Sequence, residues 1–385
     1  MRKVYLDYSA TTPLDPRVLK AMQPYFTEKF GNTMSLHTLG LEAADALEKS
    51  RETVASFMKA QNEEVIFNCS ATESINFVLK GIAFANREKG KHIITSSIEH
   101  HAVLETCRWL KTQGFEITYL PVDKYGFVNL VQLDNAIRDD TILVSIMHAN
   151  NEIGTIEPIE EIGRICSDHE IYFHTDAVQS FGKLSIDVNK MNIDLLSLSA
   201  HKFYGPKGVG ATFIRKGTKI EPLLHGGGHE FNLRSSTVNV PGIVGLAKAV
   251  ELRKMEMKTE AKRLTELRDY LIKNVLKIEN SHLNGDPKIR LPNNANFWFS
   301  FIEGEALVVE LSSHGVYGST GSACSSSTLE PSHVLTAIGL KHEEAHGSLR
   351  LSLGKDNSKA DIDYTLKVLP NVIKRLRKIS PFKGK

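Results

Sequence analysis

Residues 170–214 read EIYFHTDAVQSFGKLSIDVNKMNIDLLSLSAHKFYGPKGVGATFI, and this stretch contains three short apolar runs separated by polar, glycine-containing segments. The runs are EIYFHTD (170–176), IDLLSLS (193–199) and VGATFI (209–214). Runs of this length, rich in Ile, Leu, Phe and Val, are typical of buried β-strands. The polar residues that follow each run are therefore the first candidates for the chemistry of this protein.

Four further runs of the same kind lie earlier in the chain, and longer helical patterns separate them. These runs are EVIF (64–67), KHIITSS (91–97), EITYL (116–120) and TILVSIM (141–147). Strands that alternate with helices predict an α/β fold with a largely parallel sheet covered on both faces. Ligands of such sheets bind at the carboxyl ends of the strands. Several polar side chains should therefore meet at one edge of the sheet.

From about residue 254 the pattern changes to a long helix with a second group of elements behind it. Leu264, Leu267, Leu271 and Val275 recur at three- and four-residue spacing, which is typical of an amphipathic helix. We therefore predict that a second domain begins near residue 254.

The composition excludes several classes of protein. The chain has 385 residues, 41% hydrophobic and 24% charged, with a formal net charge of +2. No field of one sign indicates binding to nucleic acid or to an acidic membrane. The four cysteines form no CxxC pair, and no apolar run approaches the ~18 residues of a membrane span. The N-terminus lacks a signal-peptide pattern, so we expect a cytoplasmic protein with reduced thiols.

Three side chains at the strand ends suit a pyridoxal-phosphate site. Lys202 follows IDLLSLS, where burial can make its amine nucleophilic enough for a Schiff base. Asp176 ends EIYFHTD, and its carboxyl can keep a pyridine nitrogen protonated, while Gln179 can direct its amide at the same cofactor. Singly, a surface lysine and a helix-capping Asp are the ordinary alternatives. Their combination favours the cofactor.

Two further segments suit the same cofactor. Ala71 and Thr72 enter a helix in NCSATES (68–74) and can bind phosphate through backbone N–H groups, although the same pattern is also that of a capping box. His100 and His101 follow a strand, where an imidazole can stack on a planar cofactor or move protons. Histidine and cysteine spacing matches no zinc motif, so we expect no intrinsic metal.

Ten segments, taken together and in order, resemble the pyridoxal-phosphate-dependent cysteine desulfurases of the NifS/IscS type, within the fold-type I (class V aminotransferase) family. They are YLDYSATTP, FGNTMSLH, SATESIN, EHHAV, MHANNEIGT, HTDAVQSFGK, SAHKFYGPKG, HGGGHEFNLRSST, GSACSSSTLEPS and GSLRLSLG. The resemblance implies a large domain, residues 16–253, with a mostly parallel seven-stranded sheet. It also implies a smaller α+β domain, residues 1–15 and 254–385. The serine-rich loop at about 318–332 is similar to that of group I of the family.

The resemblance implies a role for each residue at the centre of the site. Lys202 would bond covalently to pyridoxal phosphate, Asp176 would contact the pyridine nitrogen, and Gln179 the ring hydroxyl. His100 would stack on the ring and move protons. Cys324 would accept the sulfur, and the glycine and serine around it predict a loop that carries the thiol between cofactor and surface.

The resemblance also implies the residues that bind the phosphate and the substrate. Four residues of one chain would hold the phosphate: Ala71, Thr72, Ser199 and His201. Thr237 would be supplied by the other subunit of a homodimer. Asn151 and Arg350 would bind the substrate carboxylate, since an Arg donates two parallel hydrogen bonds to such a group.

The implied reaction converts L-cysteine to L-alanine and leaves a persulfide on Cys324. The sulfur would pass to an acceptor such as an iron–sulfur scaffold protein, with Cys324 able to contact the cluster during transfer. Transfer to tRNA thiolation or cofactor synthesis is the alternative destination. The alternative functions are selenocysteine lyase, kynureninase-like cleavage or aminotransfer, a non-catalytic sulfur-handling protein, and a zinc- or cluster-binding protein.

Overall fold

The computed structural model describes residues 2–321 and 330–380, and the structural statements below concern these residues. The strands are β1 (Val4–Tyr5), β2 (Val65–Asn68), β3 (His92–Ser96), β4 (Glu116–Leu120), β5 (Thr141–Ser145), β6 (Tyr172–Asp176), β7 (Leu195–Ser199), β8 (Gly210–Ile214), β9 (Ser281–Asn284), β10 (Asn294–Phe299), β11 (Val316–Tyr317) and β12 (Ser348–Ser352). The helices are α1 (Pro16–Met22), α2 (Pro24–Thr27), α3 (Thr38–Met58), α4 (Ala71–Ala85), α5 (His101–Thr112), α6 (Leu130–Ala136), α7 (Ile159–Asp168), α8 (Val240–Val275), α9 (Gly304–Ser313), α10 (His333–Ala337), α11 (His342–His346) and α12 (Lys359–Ile379).

Seven strands form the central sheet in the order β2-β8-β7-β6-β5-β3-β4, and the predicted fold class is confirmed. Strands β4, β3, β5, β6 and β7 are parallel, while β8 pairs antiparallel with both β7 and β2. Every residue of β3, β5, β7 and β8 is buried. Burial on both faces explains why these strands are continuous apolar runs in the sequence.

The C-terminal part of the chain has a sheet and an apolar core of its own. Its sheet is antiparallel, in the order β12-β10-β9, and α9 and α12 pack beside it. The predicted boundary at residues 253/254 falls inside α8, so we propose that the two domains share this helix. Within the described ranges, no helix has the length and apolar character needed to cross a membrane.

The glycine-rich segment HGGGHE ends in a buried ion pair. Glu230, Phe231 and Asn232 have φ values of 47°, 58° and 66°, which is the left-handed region. The Glu230 carboxylate accepts hydrogen bonds from both terminal nitrogens of Arg51, at 2.8 and 2.9 Å, and from the Phe67 backbone N–H at 2.7 Å. These charge-assisted bonds fasten the segment to α3 and β2 and stabilise its unusual backbone.

The N-terminal segment joins the two parts of the chain. β1 pairs in parallel with β11, and Asp7 forms a bridge with Ser352 of β12. The segment then crosses to the central sheet, where the N–H and hydroxyl of Thr12 both donate to the His201 carbonyl at 2.9 Å. The residues between these contacts therefore lie at the carboxyl ends of the central strands.

Candidate active site

A cavity of about 320 Å³ opens at the carboxyl ends of the central strands. This volume lies within the range of small-molecule sites, ~300–1,000 Å³. Ten predicted site residues line it: Ala71, Thr72, His100, Asn151, Asp176, Gln179, Ser199, His201, Lys202 and Arg350. Thr237 lines a separate surface pocket beside Cys69 and Arg234. Cys324 lies outside the described residues, and the neighbouring Gly321 and His333 line the cavity.

Lys202 stands at the start of the loop after β7, in a 3₁₀ turn, Ala200–Lys202. Its Nζ donates to the carbonyl oxygens of Ser9 and Ala10, at 2.7 and 2.8 Å. The N-terminal segment therefore holds the lysine amine at the cavity wall. These two hydrogen bonds to carbonyl groups restrain its position.

Asp176 is the last residue of β6, and its burial changes its acidity. Its Oδ1 accepts from the Val178 backbone N–H at 2.9 Å. Burial raises the pKa of the Asp176 carboxyl to about 6, and that hydrogen bond and Lys202 reduce the rise. A buried carboxylate that is ionised without a counter-charge is unfavourable. It therefore gains much by pairing with a cation such as a protonated ring nitrogen.

The side-chain amide nitrogen of Gln179 is held by a hydrogen bond, whereas its buried amide oxygen is available to a ligand. Its Nε2 donates to the Ser9 carbonyl at 2.9 Å, the same oxygen that accepts from Lys202. Its Oε1 is buried without a hydrogen-bond partner among the described atoms. Buried acceptors are normally satisfied, so this oxygen is available to accept a hydrogen bond from a ligand in the cavity.

His100 caps α5, and this contact fixes its tautomer. Its Nδ1 accepts from the Ala102 backbone N–H at 3.1 Å, so the proton of the neutral ring stands on Nε2. Burial, with Lys202 nearby, lowers the pKa of His100 to about 4. The imidazole is therefore neutral at pH 7 and presents a donor at Nε2.

The N-terminus of α4 forms part of the cavity wall, with Ser70, Ala71 and Thr72 lining it. The Ser70 hydroxyl accepts from the Glu73 N–H at 3.1 Å, and Glu73 Oε2 accepts from the Cys69 N–H at 2.9 Å. This is close to the capping box that the sequence also allowed. Arg234 donates to Glu73 at 2.7 Å and compensates its charge. The N–H groups of Ala71 and Thr72 at this helix start suit an anion.

Arg350 lines the cavity, and two acceptors hold its guanidinium. Its Nη1 donates to the Asn151 carbonyl at 3.0 Å, and its Nη2 donates to Asp7 Oδ1 at 2.9 Å. Its Nε is buried without a partner among the described atoms. Asn151 therefore orients Arg350 through its backbone carbonyl. The sequence did not predict this contact.

Sequence reasoning missed Glu152, which also lines the cavity. Its buried Oε2 accepts from the Ser332 hydroxyl at 2.6 Å, and burial raises its pKa. Gly321 lies against the same carboxylate, since a Cβ there would stand 3.1 Å from Oε2. Glu152 therefore contacts the residues on both sides of 322–329. Its place in HANNEIG, after an apolar strand, was the available signal.

Most of the chain matches one protein family. A family model described as "Aminotransferase class-V" covers residues 4–365, and the chain belongs to this family. It is 59% identical to "Cysteine desulfurase IscS" of Methanosarcina thermophila, over 100% of this chain and 95% of that protein. The resemblance to NifS/IscS-type desulfurases is thereby confirmed.

Two solved structures are similar in fold. One, titled "NIFS-LIKE PROTEIN", has a TM-score of 0.92 and 44% identity, covering 97% of this chain and 100% of that one. The other, titled "SspA in complex with cysteine", has a TM-score of 0.81 and 41% identity, covering 91% and 99%. The fold-type I architecture rests on both.

The raised pKa of Asp176 predicts a pH-dependent gain in stability for Asp176→Asn in the cofactor-free protein. Because the folded pKa lies above the ordinary 3.8, the parent loses stability as the pH rises from 3.8 to about 6, where the buried carboxyl has to ionise. The variant should be more stable than the parent at pH 7.5, by up to about 3 kcal/mol, and the difference should vanish towards pH 4. Urea unfolding across this pH range measures it.

Asp139→Asn, at an exposed carboxyl, is the control and should show no such dependence. A gain for Asp176→Asn that is equal at pH 4 and pH 7.5 would contradict burial as its cause.

Proposed function

We propose that this chain is a pyridoxal-phosphate-dependent cysteine desulfurase. The observation that carries the proposal is the convergence of Lys202, Asp176, His100 and Arg350 on one cavity. Membership of the class-V aminotransferase family, and relatives named cysteine desulfurase, support the same conclusion.

The cavity residues fit pyridoxal phosphate at each of its functional groups. Asp176 suits the ring nitrogen, the unpartnered Gln179 Oε1 suits the ring hydroxyl, and Lys202 suits the aldehyde carbon. The N-terminus of α4, with Ser199 and His201, suits the phosphate. When bound, the cofactor supplies an electron sink for the substrate α-carbon.

Residues of the chain would bind the substrate and transfer its protons. Arg350 binds the carboxylate of L-cysteine, with its guanidinium already held by Asn151 and Asp7. His100 faces the cavity with Nε2–H and donates there, because its Nδ1 is occupied by the helix cap. The amine of Lys202 would take up the α-proton of the substrate. Hydrogen bonds from Lys202 to the Ser9 and Ala10 carbonyls keep that amine at the cavity wall.

Cys324 completes the reaction in this proposal. Its thiolate attacks the sulfur of L-cysteine, a new S–S bond forms as the C–S bond breaks, and the chain carries a persulfide while alanine leaves. The proposal for Cys324 rests on the resemblance, and Gly321 and His333 bring the chain to the cavity on both sides of 322–329. Sulfur acceptors such as an iron–sulfur scaffold protein, and a cytoplasmic location, stay predictions.

A homodimer is part of the proposal. Residues 26–41 carry five strongly exposed apolar side chains: Phe26, Phe30, Met34, Leu36 and Leu41, which are 59%, 64%, 62%, 91% and 57% exposed. Contiguous exposed apolar groups mark protein–protein contacts. Thr237 lies away from the cavity of its own chain, as a residue that serves a partner's phosphate would.

Lys202→Ala tests the cofactor. The parent should be yellow and, after borohydride reduction, should keep the cofactor covalently on Lys202, because the amine is the bonding group. The variant should retain none by mass spectrometry. Lys207→Ala, at an exposed lysine of the same loop, is the control and should behave as the parent. A colourless parent that ignores added pyridoxal phosphate sinks the proposal.

Cys324→Ala tests the sulfur transfer. The variant should bind cofactor and L-cysteine normally but release alanine and sulfide at least about 100-fold more slowly, because the nucleophile is lost. In the parent, L-cysteine should add sulfur to Cys324. Cys69→Ala, at an exposed thiol, should react normally. Normal turnover by Cys324→Ala, or faster parental turnover of L-selenocysteine or kynurenine, would favour another fold-type I activity.

Phe30→Asp tests the dimer. Light scattering should give twice the chain mass for the parent and a single chain mass for the variant, because a charge opposes burial of this surface. Val131→Asp, at another exposed apolar side chain, should remain dimeric. A monomeric parent contradicts the proposal.

A further inference from the structure

A row of buried polar side chains lies directly behind the cavity, between α4 and the central sheet. Its members, which we term the polar layer, are Asn68, Ser74, Ser145, His174, Ser197 and Thr212. Each is at most 6% exposed. Polar groups at such depth normally serve a defined purpose, since an apolar core would pack there without hydrogen bonds.

His174 is the centre of the polar layer on the sheet side. Its Nδ1 lies 2.8 Å from the Ser145 hydroxyl on β5, and its Nε2 lies 3.0 Å from the Ser197 hydroxyl on β7. One imidazole therefore links three adjacent parallel strands. Burial lowers the pKa of His174 to about 3, so the ring stays neutral across the physiological range.

Ser74 connects these strands to α4. Its hydroxyl donates to Ser197 Oγ at 2.7 Å and lies 2.7 Å from Thr212 Oγ1 on β8. Asn68 Nδ2 donates to the same Thr212 oxygen at 2.9 Å. Asn68 Oδ1 then accepts from the Ser70 backbone N–H at 3.2 Å, at the cap of α4.

One arrangement of protons uses every hydroxyl of the polar layer in sequence. Asn68 donates to Thr212, Thr212 to Ser74, and Ser74 to Ser197. The Ser197 proton is then directed at His174 Nε2, which must accept it. The neutral ring consequently carries its proton on Nδ1 and donates to Ser145. Such a chain, with every bond in one direction, is cooperatively strengthened.

The polar layer stands in register with the cavity. His174 and Ser197 each precede a cavity-lining residue by two positions on the same strand, Asp176 and Ser199, while Ser145 ends β5 two positions before the cavity-lining Met147. Residues two apart lie on the same face of a strand. Ser74 follows Ala71 and Thr72 in the first turn of α4. α4, β5, β6 and β7 are thus bonded to one another one step behind the cavity wall.

We propose that the polar layer sets the distance between the anion-binding end of α4 and Asp176 on β6, and that Ser74, His174 and Ser197 are positioning residues for the cofactor. Apolar contacts are non-directional, whereas hydrogen bonds of 2.7–3.0 Å fix both the distance and the direction between α4 and the sheet. This inference rests on the proposed function, because it takes pyridoxal phosphate as the molecule that spans the two ends.

Ser74→Ala is the test. The variant should bind pyridoxal phosphate about tenfold more weakly, with a changed visible circular dichroism of the bound cofactor, because loss of a buried hydrogen bond loosens the α4 end of the cavity. Thr212→Val, which keeps the side-chain shape, should weaken binding in the same direction. Equilibrium dialysis measures the affinity, and chemical denaturation measures the stability of each cofactor-free variant.

Ser50→Ala is the matched control. Ser50 is also a buried helical serine, and its hydroxyl donates to the Ala46 carbonyl of α3 at 2.7 Å, away from the cavity. Both Ser→Ala variants should lose stability, but cofactor affinity should change only for Ser74→Ala. Equal affinity in the parent, Ser74→Ala and Thr212→Val overturns the inference. A parent that does not bind the cofactor defeats the proposed function instead.

The parent itself gives a second measurement. Selective ¹⁵N labelling of histidine, with His174→Gln for assignment, should show a neutral His174 ring protonated on Nδ1 at pH 6. The opposite tautomer, or a charged ring at that pH, contradicts the chain of protons described above.

Discussion

The contact between Lys202 and the carbonyl oxygens of Ser9 and Ala10 is the constraint on which the rest of the site depends. It lies where the N-terminal segment leaves the small antiparallel sheet and reaches the central one. The same few residues hold Gln179 through the Ser9 carbonyl and Arg350 through Asp7. The lysine and the guanidinium are therefore positioned by one short piece of backbone. A movement of that segment would displace both together.

Burial then gives the cavity its chemistry. It raises the pKa of Asp176 to about 6 and lowers that of His100 to about 4, so both side chains shift towards their neutral forms. In the proposed function a cationic ring nitrogen would reverse this for Asp176, since opposite charges stabilise each other best where water is absent. The helix-cap contact of His100 brings no opposite charge to its ring, so the imidazole remains neutral and donates through Nε2. One environment thus assigns the two residues different tasks.

The sequence allowed the fold to be predicted because the central strands are buried on both faces and appear as apolar runs. It did not indicate that β8 runs against its neighbours, since strand direction leaves no mark on composition. The candidate site residues after the central strands could be found from the sequence because they directly follow these apolar runs. The carbonyls of Ser9 and Asn151 were not, because every residue has one and only the fold makes it useful. The roles of Cys324 and Thr237 stay predictions.

The polar layer shows a further limit of reading motifs. His174 and Asp176, and Ser197 and Ser199, are two positions apart in the sequence, yet only Asp176 and Ser199 were predicted to bind a ligand. Ser74 and Thr212 are separated by 138 positions and meet at 2.7 Å. A buried hydroxyl in an apolar strand is unfavourable unless the element packed against it provides a hydrogen-bond partner. Several such hydroxyls on neighbouring strands are therefore a signal in themselves. They indicate that two elements must be held at one spacing, which apolar contact alone does not enforce.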